Sequence, residues 1–232
     1  MARLGVFLIP PPEHPFYRVT TDILGYDVWQ ERRLTSSLVA HLDPDTLRGW
    51  LGGATSWGIH CTITGGDIVY DDADVPEIRE RLAWVASRTA PFTLVNGRFF
   101  DDFHANPTAL VTRFDSPDGA IARLHRQAAT LISPLHVATY CRAPDAEDDD
   151  RSRLLYTRTG ETHALERFSP HWSLLTGLPD AAAWTTARDL IARHTGLFAD
   201  ARTRTLDVSD VHLVERHGDG FCTVVGSYPL TG

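Results

Sequence analysis

The chain has 232 residues, a length that fits one large domain or two closely packed lobes. Its composition, 43% hydrophobic and 22% charged, is that of an ordinary globular protein with a sizeable core. The formal net charge of −8 argues against long nucleic acids as partners, and no apolar run is long enough to cross a bilayer.

The amino-terminal segment, residues 1–9, is apolar and is followed by three consecutive prolines. It contains one arginine and no small-residue cleavage pattern, so it predicts a first β-strand rather than a signal peptide. Phe7 on this strand is either a core aromatic residue or part of a binding wall. The cysteines lie far apart without zinc-ligand spacing, which favours a cytoplasmic protein without disulfides or structural metal. They are Cys61, Cys141 and Cys222.

A short motif occurs twice in the chain, about half a chain length apart. The first copy lies in residues 57–66, Trp-Gly-Ile-His-Cys-Thr-Ile-Thr-Gly-Gly, and the second in residues 170–177, Pro-His-Trp-Ser-Leu-Leu-Thr-Gly. Each copy has a histidine, one residue, a hydroxyl residue and then a glycine. Both copies predict a short strand that a glycine turn closes.

The segments that follow the two motifs also match. Residues 75–88 and residues 181–196 both have apolar side chains at helical spacing, and Gly196 suits a helix C-cap. Alternating or apolar segments after each helix predict strands at residues 92–95, 109–113, 205–208, 211–214 and 221–225. Two strand–helix–strand–strand units follow from this pattern.

The region between the two units predicts one more amphipathic helix, residues 121–131. Residues 143–152 include four consecutive acidic residues and predict a solvated loop between lobes. We therefore expect an α+β fold in a single bilobal domain, residues 1–232, with pseudo-twofold symmetry. Two mostly antiparallel sheets with flanking helices would surround a central cleft. The repeat units would span about residues 50–115 and about residues 165–230.

Strand alternation predicts which side chains of each motif share a face. His60, Thr62 and Thr64 should lie on one face of the first strand, and His171 and Ser173 on one face of the second. If the two lobes pack about a pseudo-twofold axis, both polar faces meet in one cleft. The cleft would then hold two imidazoles and at least two hydroxyls.

Such a group of side chains suits phosphodiester cleavage. The reaction needs a base for the attacking water and an acid for the departing alkoxide, and imidazole titrates near neutral pH. Hydroxyl groups such as those of Thr62 and Ser173 can donate hydrogen bonds to phosphate oxygens without like-charge repulsion. The sequence thus predicts His60 and His171 as the catalytic pair, with no metal and no cofactor required.

The two motifs, His60-Cys-Thr62 and His171-Trp-Ser173, resemble the paired His-x-Thr/Ser motifs of the two-histidine (2H) phosphoesterase superfamily. The chain most resembles a bacterial branch associated with phosphonate metabolism. The shared features are His14-Pro-Phe16, Leu24-Gly-Tyr-Asp27, Trp57-Gly-Ile-His-Cys-Thr62 and Pro91-Phe-Thr-Leu94. The resemblance covers most of the chain and is strongest over residues 1–115. It implies a bilobal fold, metal-independent cleavage of a small, often cyclic phosphodiester, and Thr62 and Ser173 as phosphate ligands.

Three further positions bear on the site and its partners. Trp57 is either a core residue or a wall of the cleft on which a ring of the substrate stacks. Strict alternation would place it on the face opposite His60, and only an irregular backbone at Gly58 would bring it to the cleft. Tyr26 is a candidate lining residue because it belongs to a segment of the resemblance. Pro170 cannot donate a ladder hydrogen bond, so the second motif should lie on an edge strand or beside a bulge, which could displace His171.

Two other functions fit the same residues. One is a non-catalytic module that binds a nucleotide or a phosphorylated metabolite in the cleft. The other is a 2′,5′-RNA ligase or RNA-processing enzyme, which the acidic net charge disfavours. We expect a small-molecule phosphodiester or cyclic nucleotide as the partner. The sequence fixes neither the substrate, nor the base and acid roles, nor the oligomeric state.

Overall fold

The structure is a computed structural model that describes residues 1–100, 108–137, 144–145 and 148–232. Cys141 and part of the predicted acidic loop lie outside the described residues. Cys61 and Cys222 are buried free cysteines. Among the helices described, none combines the length and the apolar character that a bilayer span requires.

Ten β-strands lie in three antiparallel sheets within the described part of the chain. One four-stranded sheet has the order β10-β9-β1-β4, the other has the order β7-β6-β5-β8, and β2 pairs with β3 in a small ribbon. The strands are β1 (Ala2–Leu8), β2 (Tyr26–Asp27), β3 (Arg32–Arg33), β4 (Cys61–Tyr70), β5 (Phe92–Phe99), β6 (Leu110–Asp115), β7 (Trp172–Leu175), β8 (Leu206–Val208), β9 (Asp210–Arg216) and β10 (Cys222–Pro229).

The α-helices are α1 (Pro15–Leu24), α2 (Pro44–Leu51), α3 (Ala54–Trp57), α4 (Val75–Ser87), α5 (Ala120–Leu131), α6 (Asp150–Thr159) and α7 (Ala181–Thr195). Helix α4 packs on β9 and β10, α5 packs on β4, and α7 packs on β6. The helices therefore flank two antiparallel sheets, which confirms the predicted α+β class with two sheets.

The two four-stranded sheets mix strands from both halves of the chain. Strand β4, which contains most of the first motif, pairs with β1, and β1 also pairs with β9 from the second half. Strand β7, which lies within the second motif, pairs with β6 from the first half. Each motif strand lies at the edge of its sheet, and the two edge strands contact each other. The repeat units proposed from the sequence therefore interlock, and their boundaries stay a prediction.

Most predicted elements occur at their predicted positions, with three exceptions. The glycine pair at 65–66 does not end the first motif strand, because β4 continues to Tyr70 with these glycines at φ 81° and 126°. A Cβ at Gly65 would lie 2.8 Å from the carbonyl oxygen of Leu4, so only glycine fits this bulged pairing with β1. Four helices, α1, α2, α3 and α6, and the two short strands β2 and β3 were not predicted. Part of α6 occupies the segment expected to be an acidic loop, where the Asp149 side chain caps the helix.

The strand bulge also corrects the predicted face of Thr64. The register of β1 with β4 shifts between Val6 and Phe7, so that Phe7 faces Thr62 and Val6 faces Thr64. Neighbouring residues of β1 point to opposite faces, so Thr62 and Thr64 do as well. Thr64 is fully buried, and its hydroxyl lies 2.6 Å from that of Ser133. Thr64 is thus a structural residue on the helix-covered face.

Candidate active site

His60 lies immediately before β4, where the chain leaves α3 through Gly58. Gly58 has φ 65° and ψ −179°, and a Cβ there would lie 3.1 Å from the Val28 Cβ. Glycine is therefore required for this turn. The turn directs the Gly58 carbonyl to His60, whose Nδ1 lies 2.9 Å from the carbonyl oxygen.

His171 lies immediately before β7 and is held in the same way. Its Nδ1 lies 2.8 Å from the carbonyl oxygen of Ser169, again two residues earlier in the chain. Strand β7 begins at Trp172, so Pro170 stands outside the ladder, and β7 pairs only with β6 in its sheet. This confirms the edge-strand prediction. Pro170 does not prevent His171 from making the bond that His60 makes.

The shared hydrogen bond fixes the tautomer of both imidazoles. A carbonyl oxygen only accepts, so Nδ1 of His60 and of His171 carries the proton. In the neutral ring, Nε2 then presents a lone pair, and in the cation it presents an N–H. Both rings line one cavity, so each can exchange a proton there through Nε2.

Aromatic rings fix the plane of His60. The Phe7 ring stacks on the imidazole with centroids 4.2 Å apart and planes 23° apart. The Trp57 ring lies 5.8 Å from the imidazole, and the Arg216 guanidinium lies 4.8 Å from the Trp57 centroid. These contacts restrict the imidazole to the plane that its hydrogen bond with Gly58 also favours.

Both histidines resist protonation in this environment. Desolvation and, as a smaller contribution, the nearby His171 together lower the pKa of His60 to about 4, although the hydrogen bond with the Gly58 carbonyl opposes the shift. The ring is still partly exposed at the cavity. Desolvation also lowers the pKa of His171, and Arg113 and His163 act in the same direction. The residue keeps an edge exposed to solvent.

The cavity beside the histidines has a volume of about 300 Å³. Thr62 and Ser173 line it together with the two imidazoles, on the faces that strand alternation predicts. Trp57 forms one wall, and the small residues Gly53, Ala54, Gly58, Gly66 and Thr176 contribute to the rest. The residues predicted as catalytic pair and phosphate ligands are thus brought together in one place.

A second cavity of about 440 Å³ adjoins the first and shares Thr62 and His171 with it. Its wall includes Glu161, whose carboxyl accepts a hydrogen bond from the Gly65 backbone N–H at the bulge of β4. Desolvation raises the pKa of Glu161 to about 8, although this hydrogen bond opposes the shift. No sequence signal marks Glu161, because it belongs to neither motif and its partner, Gly65, lies in the other half of the chain.

Arg113 of β6 is the cation beside His171. Its guanidinium donates a hydrogen bond to the Ser169 hydroxyl and lies 3.4 Å from the centre of the Phe100 ring. No sequence pattern distinguishes Arg113 from an arginine on the surface. Pairing of β6 with β7, which places Val111 opposite Ser173, brings it to the site.

The structure places the remaining candidate residues as follows. Phe7 is fully buried and acts on the site through its stacking with His60. Trp57 lines the cavity because α3 and the irregular Gly58 replace regular alternation. Tyr26 is not brought to this cavity, since its hydroxyl donates to the carbonyl of Cys222 at 2.8 Å and it lines a different pocket with Phe221. Its role in binding stays a prediction.

Within the described residues, no group of three or more His, Cys, Asp or Glu side chains is arranged to hold a metal ion. No protein-family model and no curated protein sequence matches the chain.

Several solved structures are similar to the whole chain. Escherichia coli LigT in complex with 3′-AMP is 14% identical with a TM-score of 0.49, covering 100% of this chain and 99% of LigT. The Thermus thermophilus protein TT0787 is 15% identical with a TM-score of 0.49, covering 99% and 98%. A structure described as a phosphoesterase is 14% identical with a TM-score of 0.48, covering 100% and 99%. Similarity at this level assigns neither activity nor substrate to this chain, and the phosphonate-metabolism branch stays a prediction.

Proposed function

We propose that this protein is a phosphodiesterase that hydrolyses a small phosphodiester, such as a 2′,3′-cyclic one, by two-histidine acid–base catalysis without a metal. The observation that carries the proposal is the matched hydrogen bonding of His60 and His171. Each donates Nδ1–H to the carbonyl two residues earlier, and both rings line one cavity with Thr62 and Ser173.

The chemistry follows from the tautomers. Neutral Nε2 of one histidine accepts a proton from water as the water oxygen forms a bond to phosphorus. The bond from phosphorus to the departing oxygen breaks, and the protonated Nε2–H of the other histidine supplies a proton to that oxygen. Thr62 and Ser173 donate hydrogen bonds to the non-bridging oxygens, where negative charge grows.

The environments of the two rings support one assignment of the base and acid roles. His60 has the pKa lowered to about 4 and is stacked against Phe7, so it stays neutral when the pair holds one proton. His171 keeps an exposed edge and holds that proton. We therefore assign His60 as the base and His171 as the acid, which departs from the interchangeable roles that pseudo-symmetry alone permits.

The test is turnover of 2′,3′-cyclic nucleotides with and without EDTA. We expect EDTA to have no effect, and His60→Ala and His171→Ala each to lower kcat by about 10²- to 10⁴-fold, the usual contribution of acid–base catalysis. His194→Ala is the control, because His194 is exposed on α7. Activity that EDTA abolishes, or that either cleft variant retains, would contradict the proposal.

One of the two reasons for a non-catalytic binding module is weakened at His171. A cleft between lobes suits such a module, and Pro170 could displace this histidine, yet His171 makes the same hydrogen bond as His60. Nucleotide binding with no turnover of any phosphodiester is the result that would restore it. Strongly salt-dependent RNA binding would instead favour an RNA-processing enzyme.

A further inference from the structure

The two cavities at the histidines adjoin each other, and we call them the two arms of the cleft. Both arms include Thr62 and His171 in their walls, so a phosphate bound beside these residues has open space on two sides. The first arm, about 300 Å³, is lined by Trp57, and the second, about 440 Å³, by Glu161. A diester with an organic group on each ester oxygen can therefore occupy both arms.

The linings of the two arms differ in chemistry. Away from the two histidines and the hydroxyl residues, the first arm is lined by Trp57, three glycines and an alanine, and the Trp57 ring is a surface that a flat ring system can stack against. The second arm carries Glu161, Thr162 and His163 next to the acid His171. It is suited to a polar group that exchanges hydrogen bonds.

Glu161 is fixed in place from two directions. Its backbone N–H lies 3.3 Å from the Thr159 hydroxyl, which in turn donates to the Glu161 carbonyl at 3.2 Å. Its carboxyl accepts the Gly65 N–H from β4. Among the described residues, that carboxyl has no other hydrogen-bond partner. It can therefore form further hydrogen bonds with a group bound in the second arm. Arg167, by contrast, is already engaged with Ser152 and Asp149.

We infer that Glu161 is a specificity-determining residue that binds the departing alcohol of the substrate. On this inference, which rests on the proposed function, the substrate is an asymmetric phosphodiester. Its flat group lies against Trp57, and its departing alcohol, which bears hydroxyl or amine groups, lies against Glu161. The alcohol leaves from the arm beside His171, which is the histidine assigned as the acid.

The electrostatics are consistent with a carboxyl so close to a phosphate. An ionised carboxylate would repel the phosphodiester anion, whereas a protonated carboxyl can donate a hydrogen bond as well as accept one. Burial raises the pKa of Glu161 to about 8, so the neutral form dominates at neutral pH.

The test uses two esters of adenosine 3′-phosphate that differ only in the hydroxyl groups of the alcohol, the n-propyl ester and the glyceryl ester. Initial rates give kcat/KM, and calorimetry gives Kd for both esters whether or not they turn over. We expect wild type to prefer the glyceryl ester by about tenfold, the value of one good hydrogen bond to a polar partner. Glu161→Met, which fills the space without hydrogen bonding, should reduce the ratio to about one.

Two further variants separate recognition from structure. Glu161→Gln keeps an acceptor for the Gly65 N–H together with a donor, so it should retain most of the preference. Glu80→Met is the matched control, because Glu80 is exposed on α4. No preference in wild type, or an unchanged ratio in Glu161→Met with both esters weakened equally, would overturn the inference.

The proposed function fails separately from this inference. If His60→Ala and His171→Ala hydrolyse both esters as wild type does, the acid–base roles are wrong. The ratio of Kd values in Glu161→Met still decides whether Glu161 recognises the alcohol.

Discussion

Turnover should be fastest on the acidic side of neutrality, because both cleft histidines resist protonation. The pKa of His60 is lowered to about 4, and that of His171 is lowered from 6.5. The competent form has His60 neutral and His171 protonated, and it dominates only between the two apparent pKa values of the pair. Above the upper value, the fraction of His171 that holds a proton falls about tenfold per pH unit.

The assay is kcat/KM for 2′,3′-cyclic AMP from about pH 4 to about pH 8.5, at constant ionic strength, since this parameter reports the free enzyme. We expect a bell whose basic limb begins below pH 6.5, the ordinary histidine value, and descends with unit slope. Thr62→Ala is the control: it removes a phosphate donor but no titrating group. It should lower the whole curve, by about tenfold, without moving either limb. A rate that is constant or rising through pH 8 would refute the reasoning.

Three other perturbations follow from the geometry. Phe7→Leu should lower the free energy of unfolding by about 1–2 kcal/mol and shift the acidic limb of the pH profile to higher pH, because His60 loses a stacked ring. Urea titration measures the first effect and the pH profile measures the second. An acidic limb that does not move would contradict the stacking role. If the Trp57 ring stacks on the nucleobase, Trp57→Ala should raise KM for an adenine nucleotide about tenfold while kcat changes little. A loss of kcat alone would show instead that Trp57 acts through His60. The raised pKa of Glu161 means that the folded protein holds a proton which the unfolded chain releases, so stability is full below about pH 4.5 and falls as pH rises to about 8. Glu161→Gln should remove this decline. Urea titrations of both proteins at several pH values give the free energy of unfolding against pH, and parallel curves for the two proteins would contradict the prediction.

The sequence by itself predicted which two histidines and which two hydroxyl residues share the cavity, because their geometry is local. Strand alternation over three residues places Thr62 beside His60 and Ser173 beside His171, and no tertiary contact is needed to derive it. The helices after each motif are equally local, since their apolar spacing is contained in about four turns of sequence. These are the parts of the fold that the structure confirms almost residue for residue.

Only the tertiary structure decided the surroundings of that pair. Thr64 changes face because β4 bulges against β1, and Trp57 enters the cavity because Gly58 takes a left-handed conformation. Strand pairing across the two halves of the chain brings Arg113 to His171, and the segment that follows α6 puts the Glu161 carboxyl against the Gly65 N–H. Such contacts join residues that are dozens of positions apart, and they depend on register and bulges. No periodicity within the sequence records them, because the energy that selects them arises only when the sheets pair.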